Sequence, residues 1–448
     1  MMPPGTAGLP WAVLGGGISG LLAAEHLQRL GFEVEVWEAS GSAGGLAQTL
    51  PWPGPGGEPG FLERGPQGFL VAKGSALATL LANVGVVTHR PGPRGPRWLG
   101  KGGRLHPSPA SLAGLLRAPG LTWKDHLRIL AEPFLPPGAR DGDTLRSFFA
   151  RRLGEGFARE LLPALVASLL AAPPEQVGME AVSRLRRLEA KGGLLWGSLR
   201  EGPEWTVQAE GGSGALAQAL ARRLDQLRLA CPARSLEALP GGGWRIHGDG
   251  WSRDAAQVVL ALPADAASRL LGPLAPGATS GLAALTSLDL TVWHSRHPQV
   301  RGWERGLGLL IHPPEGAGLL GVISLAAEDP RGVPGLLQLR AYVGGAYPTA
   351  PALAAWPGVW EALKRWLPDL PEPVQVRAEA TPGAFALLGP GHGDRVAAIL
   401  GNLPPGLHWL GAARFGPSLK DLAQGIDTWA QEVVSPGSHR ARIGPRAR

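Results

Sequence analysis

The chain has 448 residues and a formal net charge of +7 at pH 7, and its length predicts two or three domains with a large buried core. Its single cysteine, Cys231, excludes an internal disulfide, a CxxC redox pair and a thiolate metal cluster, and we expect no metal site. No basic stretch is interleaved with aromatic residues, so we expect no nucleic-acid partner.

The chain start and the longest apolar run bear on where the protein works. Residues 1–10 lack the basic segment and apolar core of a secretory signal. The longest strongly apolar run is Leu161–Ala172, which is shorter than the roughly 20 residues needed to span a bilayer. We therefore expect a cytoplasmic protein that either stays in solution or lies peripherally on the inner face of the membrane.

A βαβ unit is predicted at the N-terminus. The apolar run Trp11–Leu14 stops at the glycine-rich stretch Gly15–Gly20, and apolar residues then recur at helical spacing as far as Gly31. The segment Glu33–Trp37 alternates polar and apolar residues with a period of two and is followed by Glu38. Strand, glycine turn, helix, second strand and terminal acid are together typical of a dinucleotide-binding unit.

The glycines of this unit have separate physical tasks. Gly15 permits a tight turn, Gly17 lets the backbone approach a pyrophosphate, and Gly20 lets the helix pack closely on the strand. The helix N-terminus offers N–H groups to the phosphates. Glu38 stands where a carboxylate accepts hydrogen bonds from ribose hydroxyls and would repel a 2′-phosphate, which disfavours NADP. The unit alone leaves FAD and NAD open.

Several later segments have clear periodicity, and strand-rich stretches flank long helical ones. This arrangement does not fit a simple linear order of domains. The predicted elements are a helix opened by Gly211–Gly214, strands over Trp244–His247, Gln257–Leu262 and Leu407–Leu410, and a final helix over Leu419–Val434.

A series of short motifs in a fixed order resembles the amine-oxidase-like flavoproteins, and among them the protoporphyrinogen oxidases. Each motif is weak by itself, but their shared order over some 400 residues is much more specific. The motifs are Gly15–Leu21, Glu38–Ser40, Gly44–Gly45, Glu63–Phe69, Pro96–Leu105, Leu145–Gly154, Val258–Pro263, Leu339–Gly345, Gly391–His392 and Leu410–Gly416.

The resemblance implies an α/β fold in which an FAD-binding Rossmann-like domain is interleaved with a mixed-sheet substrate domain and a mostly helical domain. The FAD-binding domain would combine residues 1–75, 205–265 and 380–435. The helical domain, with possible membrane contact, would fill 76–204, and the substrate domain 266–379. The basic stretch 436–448 is expected to be a disordered tail.

FAD is the implied cofactor. The final helix would also direct its positive N-terminal end toward the flavin ring and stabilise the ring when it is reduced and anionic. The residues implied to contact FAD are Gly15, Gly17, Ile18, Ser19, Gly20, Glu38, Ala39, Gly44, Gly45, Gly65, Pro66, Leu262, Gly411, Gly416 and Ser418.

The implied reaction is oxidation of a porphyrinogen, either protoporphyrinogen IX or coproporphyrinogen III, to the porphyrin in haem biosynthesis, with oxygen as the acceptor. Because the flavin carries the chemistry, no catalytic side chain is assigned. Arg97 is implied to pair with a propionate, while Leu307 and Leu320 would cover the ring faces, unless they are ordinary core residues. His392 could act as an acid or base, but a structural role is favoured because it has no visible partner.

Two departures from the resembled family leave alternatives open. Leu46 stands where Lys or Arg usually follows the glycine pair, and a Gly-x-Tyr-Ala-Gly-Asp pattern is replaced between residues 167 and 176, where the chain reads Ala-Ser-Leu-Leu-Ala-Ala. The alternatives are a carotenoid desaturase, an amine oxidase, or an FAD- and tetrapyrrole-binding protein without turnover. A homodimer is one of the oligomeric states left open.

A basic, apolar-faced helical segment suggests the membrane contact. Apolar residues of this segment lie near Arg117, Lys124 and Arg128, a composition that suits an interface between membrane and water. A solvated face over a normal core explains the pattern equally well. The apolar residues are Leu112, Leu115, Leu116, Leu121, Trp123, Leu127 and Leu130.

Overall fold

The computed structural model describes residues 6, 8–91, 95, 97–109, 112–138, 140, 142–326 and 329–434. The predicted basic tail 436–448 lies outside these residues. The strands are β1 Trp11–Leu14, β2 Val34–Trp37, β3 Thr49–Pro51, β4 Phe61–Glu63, β5 Phe69–Ala72, β6 Thr88–His89, β7 Arg97–Lys101, β8 Arg104–Pro107, β9 Glu204–Ala209, β10 Gln226–Arg228, β11 Ala233–Ala238, β12 Trp244–Gly248, β13 Trp251–Ala255, β14 Gln257–Leu260, β15 Ser287–Pro298, β16 Gly308–Ile311, β17 Leu319–Ser324, β18 Leu336–Gly344, β19 Gln375–Ala386 and β20 Leu407–Trp409.

The helices connect and cover these strands. They are α1 Ile18–Arg29, α2 Ala76–Asn83, α3 Leu112–Leu115, α4 Trp123–Leu130, α5 Leu145–Leu153, α6 Glu155–Glu160, α7 Leu162–Leu170, α8 Ser183–Ala190, α9 Leu194–Glu201, α10 Gly214–Ala221, α11 Ala264–Leu271, α12 Pro276–Ala283, α13 Pro313–Gly316, α14 Trp356–Trp366, α15 His392–Gly401, α16 Ala412–Phe415 and α17 Leu419–Val434.

A five-stranded sheet with the order β10-β2-β1-β14-β20 forms the centre of the nucleotide-binding part. All of its strands run parallel. Trp11 and Val13 pack into the apolar core on one face, with α1 and α17, while Ala12 and Leu14 pack into the core on the other face. Burial of both faces explains why β1 is continuously apolar.

A seven-stranded mixed sheet with the order β19-β15-β18-β17-β16-β7-β8 forms the second large layer. One face packs on α14 through a core that includes Leu309, Leu339 and Leu363. The strands β7 and β8 fall within the span 76–204 that the sequence predicted to be mostly helical. They join this sheet because β7 pairs in parallel with β16.

The helices α4 to α9 pack around a third core, with Phe148, Phe157 and Leu161 fully or almost fully buried. Beneath them, Arg152 forms an ion pair with Glu132, and the two side chains are 1% and 0% exposed. Glu132 also accepts a hydrogen bond from the N–H of Leu194 at 2.7 Å, which fixes the start of α9. Among the described residues, no helix has the length and apolar character needed to cross a membrane.

Candidate FAD and substrate site

The turn after β1 can be built only with glycine at two positions. Gly15 has φ of +104°, and a Cβ atom there would lie 2.5 Å from the carbonyl oxygen of Ala261. A Cβ atom on Gly20 would lie 1.9 Å from the carbonyl oxygen of Gly15. At Gly17, by contrast, the nearest atom to an added Cβ is 3.9 Å away, so this position is open toward the side from which a ligand could approach.

Glu38 and the second glycine pair close around this turn. The Glu38 carboxylate accepts hydrogen bonds from the Gly16 N–H at 2.6 Å and from the Ser40 N–H at 2.8 Å. The Gly44 N–H donates to the Gly16 carbonyl at 2.8 Å, and a Cβ atom on Gly45 would lie 3.2 Å from Gly17 Cα. The structure therefore brings the two glycine motifs and the acid into one cradle.

The remaining predicted FAD residues lie mostly at one edge of the five-stranded sheet. Because all strands of this sheet are parallel, the segments that follow them meet at the carboxyl edge, which is where such sheets bind ligands. At this edge are Gly15, Ile18 and Ser19 after β1, Ala39 after β2, Leu262 after β14, and Gly411 after β20, from which Gly416 and Ser418 lead to α17.

The residues of this cradle fit a dinucleotide diphosphate. Gly17 is the N-cap of α1, no side chain caps that end, and the first turn contains no acid, so the N-terminus of the helix is suited to phosphate oxygens. Glu38 would supply the acceptor for a ribose. When FAD is bound, its isoalloxazine ring supplies a reversible two-electron acceptor, and the protein orients it.

The N-terminus of α17, which was predicted to face the flavin ring, is hydrogen-bonded within the chain. The Asp421 N–H donates to Ser418 Oγ at 3.1 Å, and the Ser418 hydroxyl donates to Asp421 Oδ2 at 2.5 Å. A carboxylate in the first turn offsets part of the positive helix end.

Gly65 and Pro66 belong to the segment that connects β4 with β5. A Cβ atom on Gly65 would lie 2.4 Å from the carbonyl oxygen of Leu46. The Gly65 carbonyl accepts a hydrogen bond from Arg340 Nη2 at 2.8 Å. The loop predicted to contact FAD is therefore held from the side of the seven-stranded sheet by an arginine.

Arg97 is a strand residue rather than a loop residue, because it starts β7 and pairs with Gly308 of β16. A Cβ atom on Gly308 would lie 2.6 Å from Arg97 Cδ and 3.3 Å from its Cζ, so the side chain crosses the strand at this glycine. On its other side Gly308 pairs with Ile323 of β17, a large apolar side chain that is 37% exposed. Residues paired in this way from strand to strand form one row across the sheet, here called the register row of Arg97. This face is the side of the sheet opposite α14.

Leu307 and Leu320 do not lie together. Leu307 is 0% exposed and packs in the core between the sheet and α14, a placement that favours ordinary core packing. Leu320 belongs to a smaller cluster with Leu290 and Val292, against which Tyr342 and other partly buried residues pack. Only Leu320 is thus on the Arg97 side of the sheet.

The sequence reasoning missed three charged or titratable residues in the same register row as Arg97. His294 of β15 pairs with Arg340 of β18 on one side and with Arg377 of β19 on the other, and directly paired residues share a face of the sheet. Burial, followed by the charges of Arg340 and Arg377, lowers the pKa of His294 to about 3. Arg340 lies within the motif Leu339–Gly345, but no local pattern signals the row, because strand register alone assembles it.

His392 has the structural role that the sequence favoured. It is 4% exposed, and its Nε2 lies 2.5 Å from the carbonyl oxygen of Ala413, so this nitrogen must carry the proton. Burial lowers the pKa of His392. The side chain ties the start of α15 to α16 and borders a cleft of about 280 Å³ with Thr286 and Arg395.

The altered segment after residue 167 contains a strained residue. If the family pattern Gly-x-Tyr-Ala-Gly-Asp starts at Ala167, its second glycine falls on Ala171. Ala171 has φ of +52° and ψ of 27° at the end of α7, a left-handed conformation that favours glycine. It packs beside Leu320 in the smaller apolar cluster. The chain therefore keeps a glycine-like backbone at this position without the glycine.

Comparison with known proteins gives a consistent result. Human protoporphyrinogen oxidase is 29% identical over 374 residues, which cover 75% of this chain and 77% of that protein. Coproporphyrinogen III oxidase from Mycobacterium bovis is 26% identical over 435 residues, covering 89% and 91%. A crystal structure from Exiguobacterium sp. 255-15, provisionally named a protoporphyrinogen oxidase, superposes with a TM-score of 0.80 at 21% identity and covers 96% of this chain and 100% of that one.

The family assignment follows from a match over most of the chain. Residues 18–413 match the flavin containing amine oxidoreductases, and the predicted interleaved α/β fold and the FAD cofactor are both confirmed. The chain therefore belongs to the flavin containing amine oxidoreductase family and is a flavin-dependent oxidoreductase.

Proposed function

We propose that the protein oxidises a porphyrinogen to the corresponding porphyrin in haem biosynthesis, with oxygen as the final electron acceptor. The observation that carries the proposal is the face of the seven-stranded sheet on which Arg97 lies beside exposed Ile323. An apolar floor bordered by a guanidinium suits a large apolar ring that carries carboxylates.

The chain's own residues would bind and orient this substrate. Arg97 would hold a propionate by two parallel hydrogen bonds, a geometry that a guanidinium supports and an ammonium does not. Leu320 and its apolar cluster would contact the tetrapyrrole and exclude water from the reacting carbon. Glu38 and the glycine turn, which belong to the five-stranded sheet, would hold the adenosine end and the phosphates of FAD.

Protoporphyrinogen IX and coproporphyrinogen III are both candidates, and relatives of each name support them. An amine substrate is disfavoured on charge, because an ammonium group would lie near the guanidinium of Arg97. A polyene such as a carotenoid has no carboxylate that Arg97 could bind.

Anaerobic mixing of the FAD-loaded protein with each porphyrinogen tests the proposal. We expect the flavin absorbance to bleach and a fluorescent porphyrin to form. Arg97→Leu should lower kcat/KM about 10- to 100-fold, since a hydrogen bond to a charged group is worth about 1.5–3 kcal/mol. The kcat/KM of Arg97→Lys should lie between the values of the parent and of Arg97→Leu. Arg234→Leu, at an exposed ion pair with Asp249, is the matched control and should behave like the parent.

Other outcomes separate the alternatives. Bleaching by an amine or a polyene alone would favour an amine oxidase or a desaturase. Bound FAD that no porphyrinogen, amine or polyene bleaches would favour a tetrapyrrole-binding protein without turnover.

We also propose that the face formed by α4 and the residues after it lies on an anionic membrane surface. Trp123, Leu127 and Leu130 occupy one side of α4 and are 66%, 56% and 46% exposed, and Phe134 is 84% exposed. Lys124 lies beside this apolar side and can meet lipid phosphates. Flotation with anionic liposomes should carry the protein upward, and Phe134→Ser should reduce this. The proposal would be contradicted if neutral liposomes carried the protein upward as well as anionic ones, or if neither did.

A further inference from the structure

Four arginines are buried in the described part of the chain, and one differs from the others. Arg152 and Arg331 form ion pairs with buried carboxylates, and Arg296 donates to carbonyl and amide oxygens through all of its nitrogens. Arg340 is 2% exposed, yet its Nε and Nη1 have no hydrogen-bond partner among the residues that the structure describes. Within the same residues, its one hydrogen bond joins Nη2 to the Gly65 carbonyl.

A buried guanidinium without an anion is costly, because the Tyr342 ring, 5.3 Å from its Cζ, replaces only part of the lost hydration. Among the described residues no carboxylate forms an ion pair with Arg340. The nearest register partner, His294, has both ring nitrogens unpaired and adds no negative charge. Native structures pair nearly all buried polar groups, so donors left free in this way call for a counter-charge that arrives with a ligand.

The position of Arg340 indicates which ligand this is. The arginine holds Gly65 at 2.8 Å, and on its other side Gly65 packs against the carbonyl of Leu46. Gly65 and Pro66 belong to the loop that the resemblance implies to contact FAD. Arg340 thus brings a positive charge to this loop from a strand 275 residues later.

We propose that Arg340 is the counter-charge for the flavin ring, acting through space to stabilise the negative charge that the ring acquires on reduction. This role rests on FAD being the cofactor and not on the porphyrinogen proposal. Arg340 is a positioning residue, since its burial keeps it from direct contact with a substrate carboxylate. The electrostatic task falls to it because Ser418 and Asp421 already satisfy the start of α17.

Sulfite binding to the FAD-loaded protein tests the proposal without any substrate. Sulfite adds to oxidised flavin and leaves the ring negatively charged, so its affinity reports the positive charge nearby. Arg340→Met should weaken sulfite binding about tenfold and lower the two-electron midpoint potential by the equivalent of about 30 mV. Arg340→Lys, which keeps the charge, should restore most of the sulfite affinity.

Arg377→Met is the matched control. Arg377 flanks the other side of His294 in the same register row, but its charge is paired with Glu379. This variant should bind sulfite like the parent. The proposal would be overturned if Arg340→Met and Arg377→Met lost sulfite affinity equally. It would also be overturned if Arg340→Met kept the sulfite affinity and the midpoint potential of the parent.

A second measurement covers the case in which Arg340→Met holds FAD poorly. Because the parent arginine is uncompensated when no ligand is bound, the FAD-free Arg340→Met variant should melt at or above the temperature of the FAD-free parent. The stabilisation that the parent gains on flavin reduction should be smaller in the variant. An FAD-free variant that melts well below the parent would show that Arg340 is a structural residue, contrary to the proposal.

Discussion

The glycine turn at the N-terminus and the arginine row on the seven-stranded sheet are built in opposite ways. In the turn, Gly15, Gly20 and Glu38 lie close in sequence, and backbone groups make most of the contacts. In the row, Arg97 and Arg340 are brought together by strand register alone. The turn is hydrogen-bonded through its backbone groups, whereas Arg340 and His294 of the row keep side-chain nitrogens without a hydrogen-bond partner among the described residues.

This difference indicates how the protein divides its work. A cradle made of backbone groups is fixed by folding and can bind the constant parts of FAD, namely its phosphates and ribose. A row made of long side chains on a rigid sheet can be changed residue by residue without changing the fold. We therefore expect the turn to tolerate almost no substitution and the row to tune electrostatics and substrate choice.

The largest expected effect comes from Gly20→Ala. The added Cβ would lie 1.9 Å from the Gly15 carbonyl oxygen, which the helix cannot relieve without leaving β1, so we expect a loss of about 3 kcal/mol in the free energy of unfolding. Urea unfolding of the FAD-free protein measures it. Gly17→Ala is the control: with 3.9 Å of clearance it should unfold like the parent, within about 0.5 kcal/mol, but retain FAD at least about tenfold less tightly.

If both glycine variants lost stability equally, Gly17 would be a packing position and the separation of tasks within the turn would be wrong. If neither lost FAD, the phosphates would have to bind elsewhere.

The next effect belongs to the row and depends on pH. The pKa of His294 is about 3 in the folded protein and about 6.5 when unfolded, so between these values the unfolded chain binds more protons. Stability from this residue is therefore complete above pH about 6.5 and is lost as the pH falls, by about 1.4 kcal/mol per pH unit. His294→Gln should reduce that slope in urea unfolding series.

His297, three residues later on the same strand, is the control for this experiment. Burial lowers its pKa to about 4, so His297→Gln should remove a similar slope over a narrower range. If the unfolding free energy of His294→Gln changed with pH as steeply as that of the parent, His294 would have to be hydrated or charged in the folded protein. Water would then reach the row, contrary to what its unpaired nitrogens indicate.

The sequence predicted the first of these regions far better than the second. The observed bounds of β1 and of α17 coincide with the predicted Trp11–Leu14 and Leu419–Val434, because local periodicity and glycine spacing carry the necessary information. The strands Trp244–Gly248 and Gln257–Leu260 differ from prediction by only one or two residues. Gly44 was implied to contact FAD by the same kind of motif, and the structure places it against the first turn.

Local pattern could not reveal what depends on long-range pairing. Arg340 lies in an apolar run that reads as an ordinary strand, and only the register of β15, β17 and β18 aligns it with His294 and Ile323. The pairing of β7 with β16 likewise joins residues about 210 positions apart, which is why Arg97 could not be separated from a loop arginine. Leu307 was predicted as a substrate wall from its motif, but strand alternation directs it to the core.

The smallest expected effect belongs to Ala171, whose backbone conformation is set locally at the end of α7 and whose side chain packs beside Leu320 of the seven-stranded sheet. A left-handed alanine costs about 1–2 kcal/mol, and glycine relieves this at the expense of about 0.5–1 kcal/mol of backbone entropy, so Ala171→Gly should stabilise the protein by roughly 0.5 kcal/mol. The substitution keeps the backbone carbonyl of residue 171, which accepts a hydrogen bond from the Ala346 N–H. Ala172→Gly, at a buried neighbour without positive φ, should instead destabilise by about 1 kcal/mol. If Ala171→Gly also destabilised, the methyl group's packing beside Leu320 would outweigh the strain, and the chain would have exchanged a relaxed turn for a tighter apolar cluster.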